Sequence, residues 1–291
     1  MLHENMVNVY VSTTSFIDKD LNSIFELCKL YDLPGIELSK VTDFSYDTLL
    51  KGLNVFQFLV HNYFPPPPVP FLLNLTSQDE SILAQSRDLC YRAIDLSQEL
   101  GGNLYAAHAG FGIDIPPSIL GNPVEQAQFI EKHGISTHNV YEKLVESTLL
   151  LCDYGQSRGV KFLIENHVLS VNNGSVGKSL LPMVDSQDLL QLAIDVNHPN
   201  FGILVDMGHL NVSANTLGLN RHKFIDDIAP FIGAFHLSGN NGVHDSHEMF
   251  DNSAWFIQRL KDFPDVAITI ELDSAPIDSI RRTFELVKGA L

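Results

Sequence analysis

The feature that most constrains the fold is a regular alternation of short strand-like segments with longer helical ones. The strand-like segments are rich in β-branched and aromatic residues, and eight of them are spread along the 291 residues. They are residues 7–12, 35–39, 56–61, 104–108, 161–165, 201–206, 232–236 and 266–271. Alternating strands and helices form parallel sheets. Eight units predict a closed (β/α)8 TIM barrel, with residues 1–291 as one domain and a doubly wound open sheet as the alternative.

The segments between the strands have helical periodicity and end in helix-terminating residues. Apolar side chains recur on one face of residues 79–100, and a second helix is predicted over residues 140–158. Helices stop just before strands at Gly-Gly 101–102, Arg-Gly 158–159 and Pro-Asn 199–200. The first strand runs into VYVSTTSF without a G-x-G-x-x-G motif, which disfavours a dinucleotide-binding open sheet.

Three long insertions follow strands, at residues 62–77, 111–136 and 168–187. Loops that follow strands build the active-site face of a barrel, so these insertions are expected to form the walls of a substrate pocket. Their aromatic residues, together with the single tryptophan, are candidates to close over a sugar ring, with packing, the commoner role of loop aromatics, as the alternative. These candidates are Tyr63, Phe64, Phe111 and Trp255.

Composition excludes several classes of partner. The chain is 45% hydrophobic and 18% charged, which is typical of a globular protein with a large core. Lys and Arg total 18 against 35 Asp and Glu, and the net charge of −17 repels nucleic acid and anionic membranes. Few basic residues fall on the predicted active face, namely Lys40, Lys132, Lys178, Arg221 and Lys223.

Cysteine use and the terminal sequence predict a cytoplasmic protein. Cys28, Cys90 and Cys152 lie far apart on predicted helices, which suits buried thiols in a reducing compartment. The first residues lack a basic segment followed by an apolar one, and no apolar run has the roughly 18 residues of a membrane span. The sequence leaves the oligomeric state open, with a homodimer as one option.

Acidic and imidazole side chains stand at or just after the ends of the predicted strands. In a parallel barrel these side chains converge on one rim. They are Glu37, His61, His108, Glu165, Asp206, His209, His236 and Glu271, followed after the seventh strand by Asp245 and His247.

Such groups are costly to bury unless they are paired or bind a metal. Imidazole nitrogens mixed with carboxylate oxygens, without thiolates, favour Zn²⁺, Mn²⁺, Co²⁺ or Fe²⁺ over Mg²⁺ or Ca²⁺. Glu37 is expected to form an ion pair or a supporting hydrogen bond with another side chain, in preference to binding a metal ion itself. His167, His244 and Asp273 adjoin better candidates and are expected to orient them.

These strand-end motifs resemble those of the xylose isomerase-like TIM-barrel superfamily over nearly the whole chain. In its epimerase branch, the resemblance implies one divalent metal held by Glu165, Asp206, His236 and Glu271. The endonuclease IV branch holds three zinc ions with additional ligands. This sequence supplies residues at all of those positions, which the resemblance assigns to His61, His108, His209, Asp245 and His247.

Three functions are consistent with this pattern. The first is a metal-dependent isomerase or epimerase of a small polyhydroxylated substrate, with Glu165 and Glu271 as the acid and base pair and His209 on a substrate oxygen or the metal. The second, which the endonuclease IV resemblance implies, is phosphoester hydrolysis with several zinc ions. The third is a non-enzymatic metal- or carbohydrate-binding barrel. The first is preferred, with one to three ions bound.

Overall fold

The strands are short and almost entirely buried. The computed structural model describes residues 8–16, 18–119, 122–134, 139–171 and 180–291. Its strands are β1 Val9–Ser12, β2 Gly35–Leu38, β3 Gln57–His61, β4 Leu104–His108, β5 Lys161–Glu165, β6 Phe201–Asp206, β7 Ile232–Leu237 and β8 Ala267–Ile270.

All eight strands pair in parallel with their sequence neighbours, and β1 pairs with β8 to close the barrel. This closure confirms the predicted (β/α)8 barrel and rules out the open sheet. The predicted bounds of β4, β5 and β6 match those observed, and each of the other five strands differs by one or two residues at one or both ends. Val7, the predicted start of β1, lies outside the described residues.

Helices surround the barrel. They are α1 Leu21–Leu30, α2 Tyr46–Gly52, α3 Glu80–Glu99, α4 Pro123–His133, α5 Val140–Arg158, α6 Ser186–Val196, α7 Met207–Leu217, α8 Arg221–Ile228, α9 Ile257–Leu260 and α10 Ile277–Ala290. Asp79 caps α3 by accepting hydrogen bonds from the backbone amides of Ser81 and Ile82, which explains why the helix begins there. No helix in the described ranges is long and apolar enough to cross a bilayer.

Alternate residues of each strand face the barrel interior and the helices. On β5, Leu163 belongs to an inner cluster with Leu59 and Leu204, whereas its neighbours Phe162 and Ile164 belong to the larger cluster beneath the helices. Since side chains alternate along a strand, the next inward position on β5 is Glu165. The same period places a polar residue at the inward rim of each neighbouring strand.

The three insertions pack against one another above the barrel. Ile115 and Ile130 from the second insertion share an apolar cluster with Leu169 and Val184 from the third, and Leu72 from the first packs against it. The loops after β3, β4 and β5 therefore form a continuous wall on the active-site face. Cys28, Cys90 and Cys152 are buried free thiols on α1, α3 and α5, as predicted.

Candidate metal centre

The structure brings all nine predicted metal ligands, together with Glu37, into overlapping groups at the carboxyl ends of the strands. Within each group, one potential ligand atom per residue lies within 4.8 Å of the others. The groups are Glu37-His61-His236, His61-His108-Glu165, Glu165-Asp206-His209, Asp206-His236-Glu271 and His209-Asp245-His247.

Glu165 stands at the junction of these groups. Its Oε2 lies 2.9 Å from Nε2 of His108 and 3.4 Å from Nε2 of His61, and its Oε1 lies 3.4 Å from Nδ1 of His209. Its side chain is 1% exposed. Burial alone would raise the pKa of Glu165, but the neighbouring His108 and His61 outweigh it and hold that pKa well below its usual range. Glu165 is therefore an ionised carboxylate shared between adjacent groups.

His236 lies between two carboxylates in the centre of the barrel. Its Nδ1 is 2.9 Å from Oε2 of Glu271, and its Nε2 is 2.9 Å from Oε2 of Glu37. Thr269 also donates to that Glu37 oxygen. The Glu37 carboxylate thus fixes the ring and leaves Nδ1 facing Glu271 and Asp206. This arrangement agrees with the expectation that Glu37 positions another residue.

A helix start explains the D-x-x-H motif. Asp206 ends β6 and caps α7, because its Oδ1 accepts a hydrogen bond of 2.8 Å from the backbone amide of His209. The side-chain amide of Asn166, just after β5, forms hydrogen bonds with the backbone amide and the backbone carbonyl of Asp206. The backbone carbonyl oxygen of Asn166 lies 2.8 Å from Nδ1 of His209. Asn166 was missed from the sequence, although it directly follows Glu165.

The D-x-H motif supplies the outermost group. Oδ2 of Asp245 lies 3.2 Å from Nε2 of His209 and 3.1 Å from Nε2 of His247. Burial would lower the pKa of His247, but hydrogen bonding to Asp245 outweighs it and raises that pKa to about 9. The same two imidazoles hold the pKa of Asp245 below its usual range despite burial.

In the more central ligand groups as well, neighbouring imidazoles and carboxylates stabilise each other's charged forms. Burial would lower the pKa of His236 and His209, but the carboxylates around each ring raise it well above the usual range. Burial would raise the pKa of Glu271, yet His236 lowers it to about 2. By contrast, burial lowers the pKa of His61 and raises that of Asp206. Without a cation, protons shared among these rings balance the carboxylates.

The donor set fits divalent cations. Five carboxylates and five imidazoles converge, and within the described part of the chain none of the five carboxylates forms an ion pair with a lysine or arginine. Among the described residues, the buried Oδ2 of Asp206 and Oδ1 of Asp245 have no hydrogen-bond partner. Unpaired buried oxygens carry a desolvation cost that a cation removes, and a cation also replaces the protons on the imidazoles. Nitrogen and oxygen donors suit zinc, manganese, cobalt or iron.

The other predicted supporting residues differ in position. His167 is buried, and its ring lies 5.1 Å from that of His108 and 5.6 Å from that of Phe111. His244 and Asp273 are exposed. The only described contact of His244 is its backbone amide, which donates to Asn241, so the expectation that it orients a ligand gains no support.

One of the four candidate aromatic residues cannot close over a ligand at this site. Phe64 is fully buried in the main core. Trp255 is half-buried, with its ring centroid 5.7 Å from that of Phe256 and 4.8 Å from the guanidinium carbon of Arg221. Tyr63 is held by a hydrogen bond from the backbone amide of Leu73 to its hydroxyl. The packing of Phe64 in the core excludes a ligand contact for that ring and agrees with the packing role that was the alternative.

Fold and site together define a (β/α)8 barrel with a cluster of His and carboxylate side chains at its carboxyl rim. The family model for the xylose isomerase-like TIM barrel matches residues 33–289, and the chain belongs to that family. Comparison with curated protein sequences gives no match.

Solved structures share the whole fold at low sequence identity. A D-tagatose 3-epimerase-like protein is 19% identical with a TM-score of 0.72, and the match covers 98% of this chain and 97% of that one. D-Allulose 3-epimerase from Methylomonas sp. is 15% identical with a TM-score of 0.69 and 98% coverage of both chains. A Thermus thermophilus protein, TTHB071, soaked with ZnCl2, is 18% identical with a TM-score of 0.62, and the match covers 97% of this chain and 98% of that one.

Proposed function

We propose that this protein is a divalent-metal-dependent isomerase or epimerase of a small sugar or sugar derivative. The observation that carries the proposal is the position of Asp206, which keeps an unpaired buried oxygen and belongs to one ligand group with Glu165 and to another with His236 and Glu271, so that residues at the carboxyl ends of four successive strands meet at it. Similar folds in D-tagatose 3-epimerase-like and D-allulose 3-epimerase structures support the same class of reaction.

These four residues would hold the reaction's metal ion. When bound, a divalent ion supplies Lewis-acid polarisation of a carbonyl oxygen, which acidifies the neighbouring C–H bond. Asp206 and His236 contribute one oxygen and one nitrogen, and Glu37 keeps the His236 ring in place. The buried, largely apolar barrel beneath the site limits access of water from below.

The two glutamates differ in how freely they can accept a proton. Both oxygens of Glu165 face imidazoles, whereas every described side-chain contact of Glu271 involves Oε2. Glu271 is also more exposed, at 9%. Oε1 of Glu271 is therefore assigned the proton from substrate carbon. Glu165, three strands away around the barrel, is assigned the transfer of a proton to the other side of that carbon, and it would first take this proton from Nε2 of His108, 2.9 Å from its Oε2. His209, with both ring nitrogens engaged, is assigned to the group with Asp245 and His247.

Phosphoester hydrolysis is the second candidate. It is favoured by the His61-His108-Glu165 and His209-Asp245-His247 groups, which adjoin the first and offer ligands for two further ions. A nucleic acid substrate is disfavoured, because the predicted active-face cations do not surround the site. Arg221 stacks on Trp255, Lys223 pairs with Asp227, and Lys132 is exposed on α4. Lys178 lies outside the described residues.

The deciding experiment combines metal content with proton exchange. Protein purified without chelator or an affinity-tag metal is analysed for Zn, Mn, Co and Fe, and a panel of sugars is incubated with it in D2O. About one ion per chain together with deuterium incorporation at carbon supports the proposal. Two or three zinc ions per chain with release of phosphate from small phosphoesters, and no exchange into any sugar, would replace it with hydrolysis. Binding without either reaction would indicate a non-enzymatic barrel.

A matched pair of variants controls for a folding defect. Glu271→Gln removes the assigned base, and Glu131→Gln changes an exposed carboxyl group on α4. Exchange is expected to disappear in the first and to continue at the wild-type rate in the second. Exchange at the wild-type rate in both variants would refute the role of Glu271.

A further inference from the structure

A cavity of about 220 Å³ opens beside the candidate metal centre, between the loops that follow β1, β2 and β8. His247 and Glu271 line it, and they belong to two different ligand groups. When the reacting atoms of a substrate lie at the metal centre, the rest of the substrate can therefore extend into this cavity. We call it the β1/β2/β8 cavity.

Hydrogen bonds between the loops give the cavity fixed walls. The hydroxyl of Thr13 accepts from the backbone amide of Ser39 at 2.9 Å, which joins the β1 and β2 loops. Ser15 joins the β1 and β8 loops, because its carbonyl accepts from Ala275 at 2.9 Å and its hydroxyl accepts from Leu272 at 3.0 Å. A preformed shape lowers the cost of binding a small ligand.

The charged residues that line the cavity balance one another. Asp18 and Lys19 come from the β1 loop, Lys40 from the β2 loop and Asp273 from the β8 loop. In the described ranges, none of these four side chains has a hydrogen bond or an ion pair within 4.0 Å. The ring of Phe16 and the side chain of Val41 add an apolar surface.

This combination suits a neutral, hydroxyl-bearing group. A hydroxyl donates to a carboxylate and accepts from an ammonium, so several hydroxyls can satisfy both kinds of side chain at once. A phosphate would form ion pairs with Lys19 and Lys40, but the carboxylates of Asp18 and Asp273 would repel it. A volume of about 220 Å³ has room for the part of a monosaccharide that extends beyond the metal centre.

We propose that the β1/β2/β8 cavity binds the far, non-reacting end of an unphosphorylated monosaccharide, with Lys40 and Asp273 as specificity-determining residues. This proposal rests on the proposed isomerase or epimerase function and adds the region that selects the substrate. It also assigns a role to Lys40, the one predicted active-face cation that lines a cavity at the metal centre among the residues that the structure describes.

Equilibrium binding tests the proposal without requiring turnover. Titration calorimetry of the metal-loaded protein uses a panel of free pentoses and hexoses that includes D-allulose, and the terminal phosphate ester of each sugar that binds. The cavity variants are Lys40→Met and Asp273→Asn. The controls are Lys51→Met and Asp47→Asn, which change exposed residues on α2 away from the cavity.

We expect the dissociation constant of the best free sugar to rise about five- to tenfold in each cavity variant and to stay unchanged in the controls. We also expect its phosphate ester to bind more weakly than the free sugar to the wild type, and Asp273→Asn to narrow that difference. Two results would overturn the proposal: wild-type affinity in both cavity variants, or tighter binding of the phosphate ester than of the free sugar that Lys40→Met abolishes. In either case, deuterium exchange into a sugar would still support the proposed isomerase or epimerase function. If no sugar binds or exchanges, the proposed function fails, and this proposal fails with it.

Discussion

Replacing Glu271 by glutamine isolates the contribution of one ionised carboxylate to both stability and chemistry. In the structure, Oε2 of Glu271 accepts a charge-assisted hydrogen bond of 2.9 Å from Nδ1 of His236, which is fully buried. Glutamine keeps the shape of the side chain and removes its charge. The variant therefore separates loss of charge from loss of packing.

The pKa of Glu271 gives the size of the stability effect. Its pKa is lowered from 4.5 to about 2, and each unit corresponds to about 1.36 kcal/mol. A carboxyl group with a lowered pKa stabilises the folded state above its unfolded pKa, and this stabilisation is lost as pH falls through about 2. At pH 7 the metal-free Glu271→Gln variant should be less stable by up to roughly 3 kcal/mol, a decrease of about 5–10 °C in Tm.

Thermal unfolding of chelator-treated protein measures this difference at pH 7 and again at pH 3 to 4. The difference in Tm should shrink at the lower pH, because part of the Glu271 stabilisation is lost there in the wild type. Turnover of the metal-loaded variant should fall by about 10²–10⁴-fold or more, as expected for removal of a general base. Wild-type Tm at pH 7 together with undiminished turnover would refute the reasoning.

Three further predictions concern the metal centre and its support. If the His61-His108-Glu165 group binds zinc, His61→Ala and His108→Ala should each lower the zinc content by about one ion per chain, and the control His222→Ala should leave it unchanged. Elemental analysis measures this content. An unchanged zinc content in both variants would exclude this group as a metal site. Gly110→Ala should destabilise the protein by more than about 2 kcal/mol in thermal unfolding, since Gly110 has φ +109° and an added Cβ would lie 2.2 Å from a buried amide oxygen; a wild-type Tm would contradict this. The pKa of His247 is raised to about 9, so its stabilisation of the metal-free protein is present below pH 6.5 and is lost as pH rises through 9. The Tm of metal-free protein should therefore fall over that interval and that of zinc-loaded protein should not, and a Tm that rises without metal would oppose this account.

The barrel was predictable because its causes are local and repeated. Strand and helix periods are properties of short windows of sequence, and eight alternating units with short connections have few compact arrangements other than a closed parallel barrel. Strand ends varied by one or two residues, because hydrogen bonding to the neighbouring strand decides where pairing stops. The end of β8 at Ile270, one residue before Glu271, is one example.

The residues of the candidate centre were also predictable as a set, since inward positions at strand ends alternate with a period of two. Their partners were not. That Glu37 faces His236 across 199 residues depends on closure of the barrel, which no local pattern contains. The position of Phe64 also depends on tertiary packing: its ring is buried in the core, although its place in a loop made it a candidate for a ligand contact.

The sequence by itself thus determined the architecture and the chemical types at the rim, because both follow from hydrophobic period and residue identity. The tertiary structure decided which side chains share a proton and which oxygens stay unpaired, and it placed Lys40 and Asp273 in one cavity beside the centre. These properties depend on distances of a few ångströms between segments far apart in the chain. Distances of that kind exist only once the barrel has closed.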